Sequence, residues 1–293
     1  MTAGVLWALV AAVGFGFIQV SNRKANQIVD AYRSSFGLLL TVEILLLARV
    51  VVAGEVALLV SAPWSAVAFF AIATFFHFIG GWTMLGLSQQ RIGVARTGAL
   101  VSASSLVGTI LAALILSEPI TAPILGGVIL AAAGVALISL SGGVGGSFAW
   151  TQPWFALTVA LIWGSSPMLI RLGLDRFDHP VLGLTIGLGL SLVVYAVILT
   201  LGGGGRRGPV PVGAVGWMVF GGAAGAIAVS AQWISWDLTT VAIAITVQQF
   251  AIVVIVALVP LMFKEPFERM NAKFFFGTAA MLVGSIVVVL TGR

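Results

Sequence analysis

Long apolar stretches, separated by short polar or glycine-rich breaks, follow one another along the whole chain. A stretch of about 18 or more apolar residues is long enough to cross the hydrocarbon core of a bilayer as a helix. The stretches are continuously apolar, whereas the strands of membrane barrels alternate between apolar and polar residues. The pattern therefore predicts ten membrane-spanning helices, at 2–20, 32–53, 64–87, 93–116, 121–141, 150–172, 180–201, 210–234, 240–262 and 272–291.

The second half of the chain repeats the first. Two glycines and a Glu-Pro pair near the end of the first half recur 150 and 147 positions later: Gly127 with Gly277, Gly134 with Gly284, and Glu118-Pro119 with Glu265-Pro266. A glycine-rich break at 141–147 lies between the halves, where a duplication needs a linker. We therefore predict two five-helix repeats, 1–146 and 147–293. Because five is odd, the repeats cross the membrane in opposite senses, which gives an inverted pseudo-twofold arrangement.

The composition agrees with a chain embedded in lipid. Hydrophobic residues make up 60% of it, charged residues 8%, and the mean hydropathy is +1.16, so it has too few polar residues to cover a water-facing surface. The absence of cysteine excludes disulfides, thiolate metal sites and cysteine nucleophiles. The net charge of +5 is scattered over short loops and indicates no nucleic-acid partner. We predict an all-α, multi-pass protein of the inner (plasma) membrane, whose surroundings are the lipid bilayer.

Basic residues in the loops predict an orientation. One side of the predicted membrane protein carries nine of them and the opposite side four: Arg23, Lys24, Arg33, Arg91, Arg206, Arg207, Lys264, Arg269 and Lys273 against Arg49, Arg171, Arg176 and Arg293. Short loops rich in basic residues stay on the cytoplasmic side. The count therefore places both termini outside.

Three short features resemble the drug/metabolite transporter superfamily, in particular its ten-helix EamA-like members. Each half has an acidic turn between its fourth and fifth spans, Leu116-Ser117-Glu118-Pro119 and Phe263-Lys264-Glu265-Pro266. Each acidic turn is followed by a helix with two glycines spaced as Gly-x6-Gly. The segment Arg91-Ile92-Gly93-Val94-Ala95-Arg96, which leads into the fourth span, is also similar to the family's. The resemblance covers essentially the whole chain.

The resemblance implies a transporter whose substrate cavity lies near the membrane midplane, lined by the first, third, fourth, sixth, eighth and ninth spans. Members of the family carry amino acids, nucleotide sugars, drugs and other metabolites, so the resemblance names no single substrate. We predict no cofactor, and no histidine–carboxylate cluster has the spacing of a metal site. Many members are expected to have cytoplasmic termini, against the charge count, so the orientation stays open.

Two titratable residues are predicted inside apolar spans, where an ionised group is costly. Glu43 is near the middle of the second span, and His77 is about thirteen residues into the third. Each is a candidate proton-coupling group that binds and releases H⁺ between transport states. The alternative for both is structural: Glu43 bonds a neighbouring helix in its neutral form, and His77 bonds a backbone carbonyl. His77 is also a candidate for substrate binding.

Uncharged polar residues near the middle of other spans are further candidates for substrate binding: Ser102 and Ser105 in the fourth span, Gln232 in the eighth, and Gln248 and Gln249 in the ninth. They can hold a polar substrate without burying an ion, and they can equally cross-link helices. Adjacent residues on a helix point about 100° apart. We therefore expect at most one of the two glutamines in the ninth span to face the cavity.

Three tryptophans are candidates for the wall of the cavity. Trp163 is in the middle of the sixth span, too deep for the membrane interface where tryptophan usually anchors a helix. Its ring is suited to stacking on an aromatic or cationic substrate. Trp82 and Trp233 end the third and eighth spans at corresponding positions of the two halves. Interface anchoring and core packing are the competing interpretations.

The sequence favours a transporter that moves a small organic metabolite or drug by alternating access, in the direction of export, with proton coupling as an open possibility. An intramembrane enzyme is the alternative from another class. The chain has no His-Glu-x-x-His or Gly-x-Ser-x-Gly motif, and no span core holds a pair of acidic residues, so we predict no catalytic residues. A translocase of lipid-like substrates is a second alternative. A homodimer is compatible with the apolar helix faces.

Overall fold

A computed structural model of the chain describes residues 2–92, 94–140, 153–201, 208–263 and 271–292. Within these ranges every regular element is helical, and no strand occurs. Nine of the helical stretches so described are long and apolar enough to cross a membrane, and a shorter apolar stretch, Val241–Ile255, belongs to a tenth span. The prediction of a ten-helix, multi-pass membrane protein is confirmed. The predicted repeat boundary between 146 and 147 lies outside the described residues.

Seven of the ten spans are single helices, and three are composite. The helices in chain order are α1 (Thr2–Asn26), α2 (Ala31–Val52), α3 (Val56–Val60), α4 (Trp64–Thr74), a π-helical turn (Phe75–Gly80), α5 (Gly81–Ile92), α6 (Val94–Val101), α7 (Ser104–Leu116), α8 (Ala122–Ser139), α9 (Trp154–Leu174), α10 (Pro180–Leu201), α11 (Val212–Leu238), α12 (Val241–Gln248), α13 (Ala251–Phe263) and α14 (Ala272–Thr291). The third span comprises α4, the π-helical turn and α5. The fourth span comprises α6 and α7, and the ninth comprises α12 and α13. The short helix α3 follows the second span and was not predicted.

Three spans continue four or more residues past their predicted ends, which were 20, 87 and 234. The last turn of α1 carries Arg23 and Lys24, which are favourable at the negative end of a helix. The end of α11 is bound by Arg171 of α9, which donates hydrogen bonds to the carbonyl oxygens of Trp236 and Asp237. Polar residues that indicated a loop in the sequence therefore belong to the helices.

The fourth and ninth spans are each broken near the middle, at 102–103 and 249–250. Three backbone hydrogen bonds around the first break recur 147 residues later around the second: Ala103 N to Leu100 O, Ser105 N to Ser102 O and Val107 N to Ala103 O, with Phe250 N to Val247 O, Ile252 N to Gln249 O and Val254 N to Phe250 O. The first two bonds of each set join residues three apart, and such tighter turns interrupt an α-helix. The two breaks are therefore equivalent in the inverted repeat.

The two halves pack through equivalent pairs of helices. The first span lies along the eighth, and the sixth lies against the third. The last helices of the halves, α8 and α14, cross where Gly127 meets Gly284 and Gly134 meets Gly277. A Cβ atom on Gly134 would lie 2.5 Å from the carbonyl oxygen of Gly277, so this approach requires glycine. The repeated glycines of the sequence therefore form one of the contacts between the halves, at the crossing of α8 and α14.

Candidate functional site

A cavity of about 160 Å³ lies between the two halves of the chain. Each of the six spans expected to line it contributes residues, and the fifth span adds one more. The lining is aromatic, aliphatic or polar without formal charge: Phe15, Gln19, His77, Trp82, Leu85, Gly98, Val101, Ser102, Ser104, Val135, Trp163, Gln232, Trp236, Ile245, Gln248, Gln249, Ala251, Ile252 and Ile255. Among these described residues none is Asp, Glu, Lys or Arg, and His77 is the one whose side chain is an ionisable ring.

Most of the residues proposed for substrate binding lie at this cavity: His77, Trp82, Ser102, Trp163, Gln232, Gln248 and Gln249. Both glutamines of the ninth span line it, although at most one was expected to. The expectation assumed a continuous helix. Because α12 ends at Gln248 and Gln249 lies in the break, their side chains need not diverge by the usual angle.

Ser105 and Trp233 lie in the protein interior beside the cavity rather than on its described lining. The hydroxyl group of Ser105 donates to the carbonyl oxygen of Ser102, 3.0 Å away, and is fully buried. Trp233 is fully buried in the largest hydrophobic cluster, where its ring centroid lies 5.5 Å from that of Phe70. The correspondence with Trp82 does not extend to the cavity, because Trp233 faces α4 instead.

Glu43 is buried between α2 and α10, away from the cavity lining. A Cβ atom on Gly189 of α10 would lie 2.9 Å from its Oε1 atom. Its Oε2 atom has no hydrogen-bond partner within the described part of the chain. The carboxyl group therefore fills the space that a glycine leaves in a neighbouring helix.

His77 lies in the π-helical turn from Phe75 to Gly80 and is held by the sixth span. Its Nδ1 atom is 2.6 Å from the hydroxyl oxygen of Ser166. Its backbone carbonyl oxygen accepts a hydrogen bond from the indole nitrogen of Trp163, 3.0 Å away, and the two rings stack with centroids 5.8 Å apart. Single π-helical turns are rare and frequently occur at functional sites. The position of His77 therefore depends on both halves of the chain.

Three amide side chains join the spans around the cavity. Nε2 of Gln249 donates to the carbonyl oxygen of Ser102, 3.3 Å away, and so links the two helix breaks. Nε2 of Gln232 donates to Oε1 of Gln248 at 3.0 Å. Among the described residues, Oε1 of Gln232 and Nε2 of Gln248 have no further partner. One acceptor and one donor thus remain available at the wall of the cavity.

Three tryptophans form an aromatic wall. The rings of Trp82 and Trp163 lie 6.2 Å apart, and Trp236 meets the ring of His77 edge-on at 6.0 Å. The indole N–H groups of Trp82 and Trp236 have no acceptor in the described part of the chain. The sequence missed Trp236, because the eighth span was expected to end before it and a tryptophan beside a helix end indicates an interface anchor.

Other residues of the site were also missed, Phe15 and Ser166 among them. Phe15 lines the cavity, and Ser166 binds the ring of His77. A phenylalanine or serine inside an apolar span gives no signal that separates a cavity wall from ordinary packing.

Contacts between the halves join the helices on the side of the cavity where α1 begins. Glu118, in the turn after α7, accepts a hydrogen bond from the backbone N–H of Val241 at the start of α12, and both carboxylate oxygens lie 3.0 Å from that nitrogen. The hydroxyl group of Ser235 donates to the carbonyl oxygen of Gly4 at 2.9 Å. Burial raises the pKa of Glu118, although the Val241 N–H and the charge of Arg171 oppose this effect. The counterpart Glu265 lies outside the described residues.

Comparisons with known proteins agree with this architecture. Residues 2–140 match the model of the EamA-like transporter family. No curated protein matches the chain, whereas 28 chains of solved structures do. One of them, titled only "Crystal structure of protein", aligns over 100% of this chain and 98% of its own length, with a TM-score of 0.77 and 15% sequence identity, which shows the fold. The first half of the chain is therefore similar to the EamA-like transporter family, and the described helices are those of a multi-pass membrane protein.

Proposed function

We propose that the chain moves a small organic molecule, a metabolite or a drug, by alternating access through the cavity between its halves. The observation that carries the proposal is the pair of equivalent helix breaks at the cavity, joined by the bond from Gln249 to Ser102. In transporters built from inverted repeats, discontinuous helices near the midplane form the substrate site.

The contacts around the cavity support one direction of access. Glu118 and Ser235 bind the opposite half on the side where α1 begins. From there the lining continues toward the other side, as far as Leu85 and Ile255. In this state the cavity admits substrate from the side of the basic loops.

The direction we propose is export. The side that the cavity approaches carries the larger set of basic residues, including Arg23 and Lys24 at the end of α1. Basic loops favour the cytoplasm. The cavity then receives its substrate from the cytoplasm and releases it after the contacts of Glu118 and Ser235 open.

The size of the cavity supports a small substrate over a lipid-like one. Its volume is about 160 Å³. An apolar cavity of roughly 150 Å³ engineered in another protein holds one benzene molecule. The acyl chains of a lipid need far more room, so a small-molecule transporter is favoured over a lipid translocase.

The sequence offers Glu43 and His77 as candidates for proton coupling, and we assign that role to His77. Its ring lies at the cavity, where alternating access changes its contact with water. Glu43 lies at a helix interface away from the lining.

Single cysteines test the proposed access, since the chain has none of its own. Gln19→Cys places a thiol on the cavity wall, and Gln27→Cys places one on the exposed turn after α1. A membrane-impermeant maleimide should label both positions from the cytoplasmic side. In intact cells we therefore expect labelling of both only after the plasma membrane has been made permeable to the reagent. Labelling of Gln19→Cys only from the side opposite to Gln27→Cys would contradict the proposed access. Labelling of Gln27→Cys in untreated intact cells would place the basic loops outside and contradict export.

A further inference from the structure

We propose that the cavity binds an uncharged, planar aromatic molecule of about one ring that carries a carboxamide or lactam group. This inference rests on the proposed transport function and names the substrate class of that same site.

The charge of the substrate follows from the lining. The described lining residues include no Asp, Glu, Lys or Arg. The Nδ1 atom of His77 is already bonded to Ser166, 2.6 Å away. An ion that enters such a cavity gives up its hydration without gaining an opposite charge, which is unfavourable. The lining therefore selects a neutral molecule over a carboxylate, an ammonium ion or a zwitterion.

The shape of the substrate follows from the aromatic wall and the volume. Trp163 stacks on His77, with Trp82 and Trp236 beside them. Flat rings pack favourably against such faces and edges. The volume of about 160 Å³ is close to the size that holds a single benzene ring. A planar, one-ring molecule therefore fits this wall better than a branched or elongated one.

The polar group of the substrate follows from the two glutamines. Gln232, with 5% of its surface exposed, donates to Gln248 at 3.0 Å and keeps an unpaired Oε1 acceptor, while Gln248 keeps an unpaired Nε2 donor. A carboxamide or lactam carries both an N–H donor and a carbonyl acceptor, and so supplies both missing partners. A carboxylate offers acceptors alone and leaves the oxygen of Gln232 unpaired.

Three one-ring ligands that differ in net charge test the inference. At neutral pH nicotinamide is neutral, nicotinate is anionic and 1-methylnicotinamide is cationic. Calorimetric titration of the purified full chain should show that nicotinamide binds at least about tenfold more tightly than either ion. Equal or tighter binding of an ion would overturn the inference. So would the absence of binding by nicotinamide, benzamide and uracil alike at millimolar concentration.

Two variants locate the binding at this wall. Gln232→Met and Trp163→Leu should each weaken nicotinamide binding by about tenfold. The matched controls are Gln27→Leu, in an exposed turn, and Trp154→Leu, whose side chain at the start of α9 is 68% exposed. Both controls should bind like the parent chain, and parental affinity in Gln232→Met and Trp163→Leu would overturn the inference. If neither variant folds, the three-ligand series on the parent chain decides.

Flux into proteoliposomes separates failure of this inference from failure of the transport function. Binding of nicotinamide without any flux of it would contradict transport and leave the ligand class standing. Flux of nicotinate or 1-methylnicotinamide, with none of nicotinamide, would support transport and overturn the ligand class.

Discussion

The side-chain amide of Gln249 donates a hydrogen bond across 3.3 Å to the backbone carbonyl oxygen of Ser102. The two residues are 147 positions apart, and each lies in the break of its own span. They are therefore equivalent in the inverted repeat, but their side chains differ. The amide of Gln249 in the second half donates to the backbone of Ser102 in the first half. Because both breaks line the cavity, a change in either half acts directly on this bond.

Replacing Gln249 by leucine should lower transport more than stability. The substitution removes the bond to Ser102, whose carbonyl oxygen still accepts from Ser105. A hydrogen bond between membrane helices contributes about 0.6 kcal/mol on average, so the folded state should survive. We expect nicotinamide flux in proteoliposomes to fall by about tenfold or more, since the two breaks are no longer coupled. Flux equal to that of Gln27→Leu would show that the bond has no part in transport.

Alanine at Gly134 should destabilise the contact between the halves, whereas alanine at Gly126 should not. Both glycines lie in α8, but a Cβ atom on Gly134 would meet the carbonyl oxygen of Gly277 at 2.5 Å, and one on Gly126 would have no neighbour within 4 Å. Forcing an atom into a close-packed contact costs about 1–3 kcal/mol. The melting temperature in detergent should therefore fall by several degrees for Gly134→Ala and stay level or rise for Gly126→Ala. Equal melting temperatures would contradict the described packing of α8 on α14.

Removal of the two buried titratable groups should have different effects on proton coupling. His77→Gln keeps a side chain that can bond Ser166 but cannot exchange a proton at the cavity. Glu43→Gln keeps the volume opposite Gly189. We expect an imposed pH gradient to stop driving nicotinamide flux in His77→Gln and to keep driving it in Glu43→Gln. Gradient-driven flux that is lost in a folded Glu43→Gln variant, and retained in His77→Gln, would reverse the assignment.

The stability of the chain should depend on pH through Glu118. Burial raises the pKa of this carboxyl group above its ordinary value of 4.5, with Arg171 and the N–H groups of Val241 and Ala242 opposing. Its protonated form is thus favoured by folding, so its contribution to stability is complete below the ordinary pKa and is lost as pH rises through the raised one. Glu118→Gln abolishes this titration and keeps an oxygen acceptor for Val241.

Melting temperatures of the parent chain and Glu118→Gln, measured from acidic to neutral pH, check this expectation. The parent should lose more stability than the variant over that interval. A parent that instead gains stability relative to the variant would show that the contact with Val241 and the charge of Arg171 outweigh burial.

The apolar pattern of the sequence predicted the spans but not all of their ends, nor the breaks inside them. The apolar length of each span was sufficient to place it, because crossing the hydrocarbon core requires that length whatever the neighbours are. The extension of α11 to Leu238 depends on Arg171 from another helix. The breaks in the fourth and ninth spans lie inside apolar sequence, and one of the carbonyl groups there is bound by an amide from the other half.

The sequence by itself determined the ten spans, the duplication and the repeated glycines, because length, apolar character and repeat spacing are properties of the chain alone. It also named most of the polar residues at the cavity. The tertiary structure decided which of them meet. Glu43 and His77 both lie in the middle of apolar spans, and Trp233 and Trp236 lie within one turn of each other, yet one of each pair lines the cavity. That choice depends on which neighbouring helix each face packs against, and the chain brings those neighbours together only when both halves are folded.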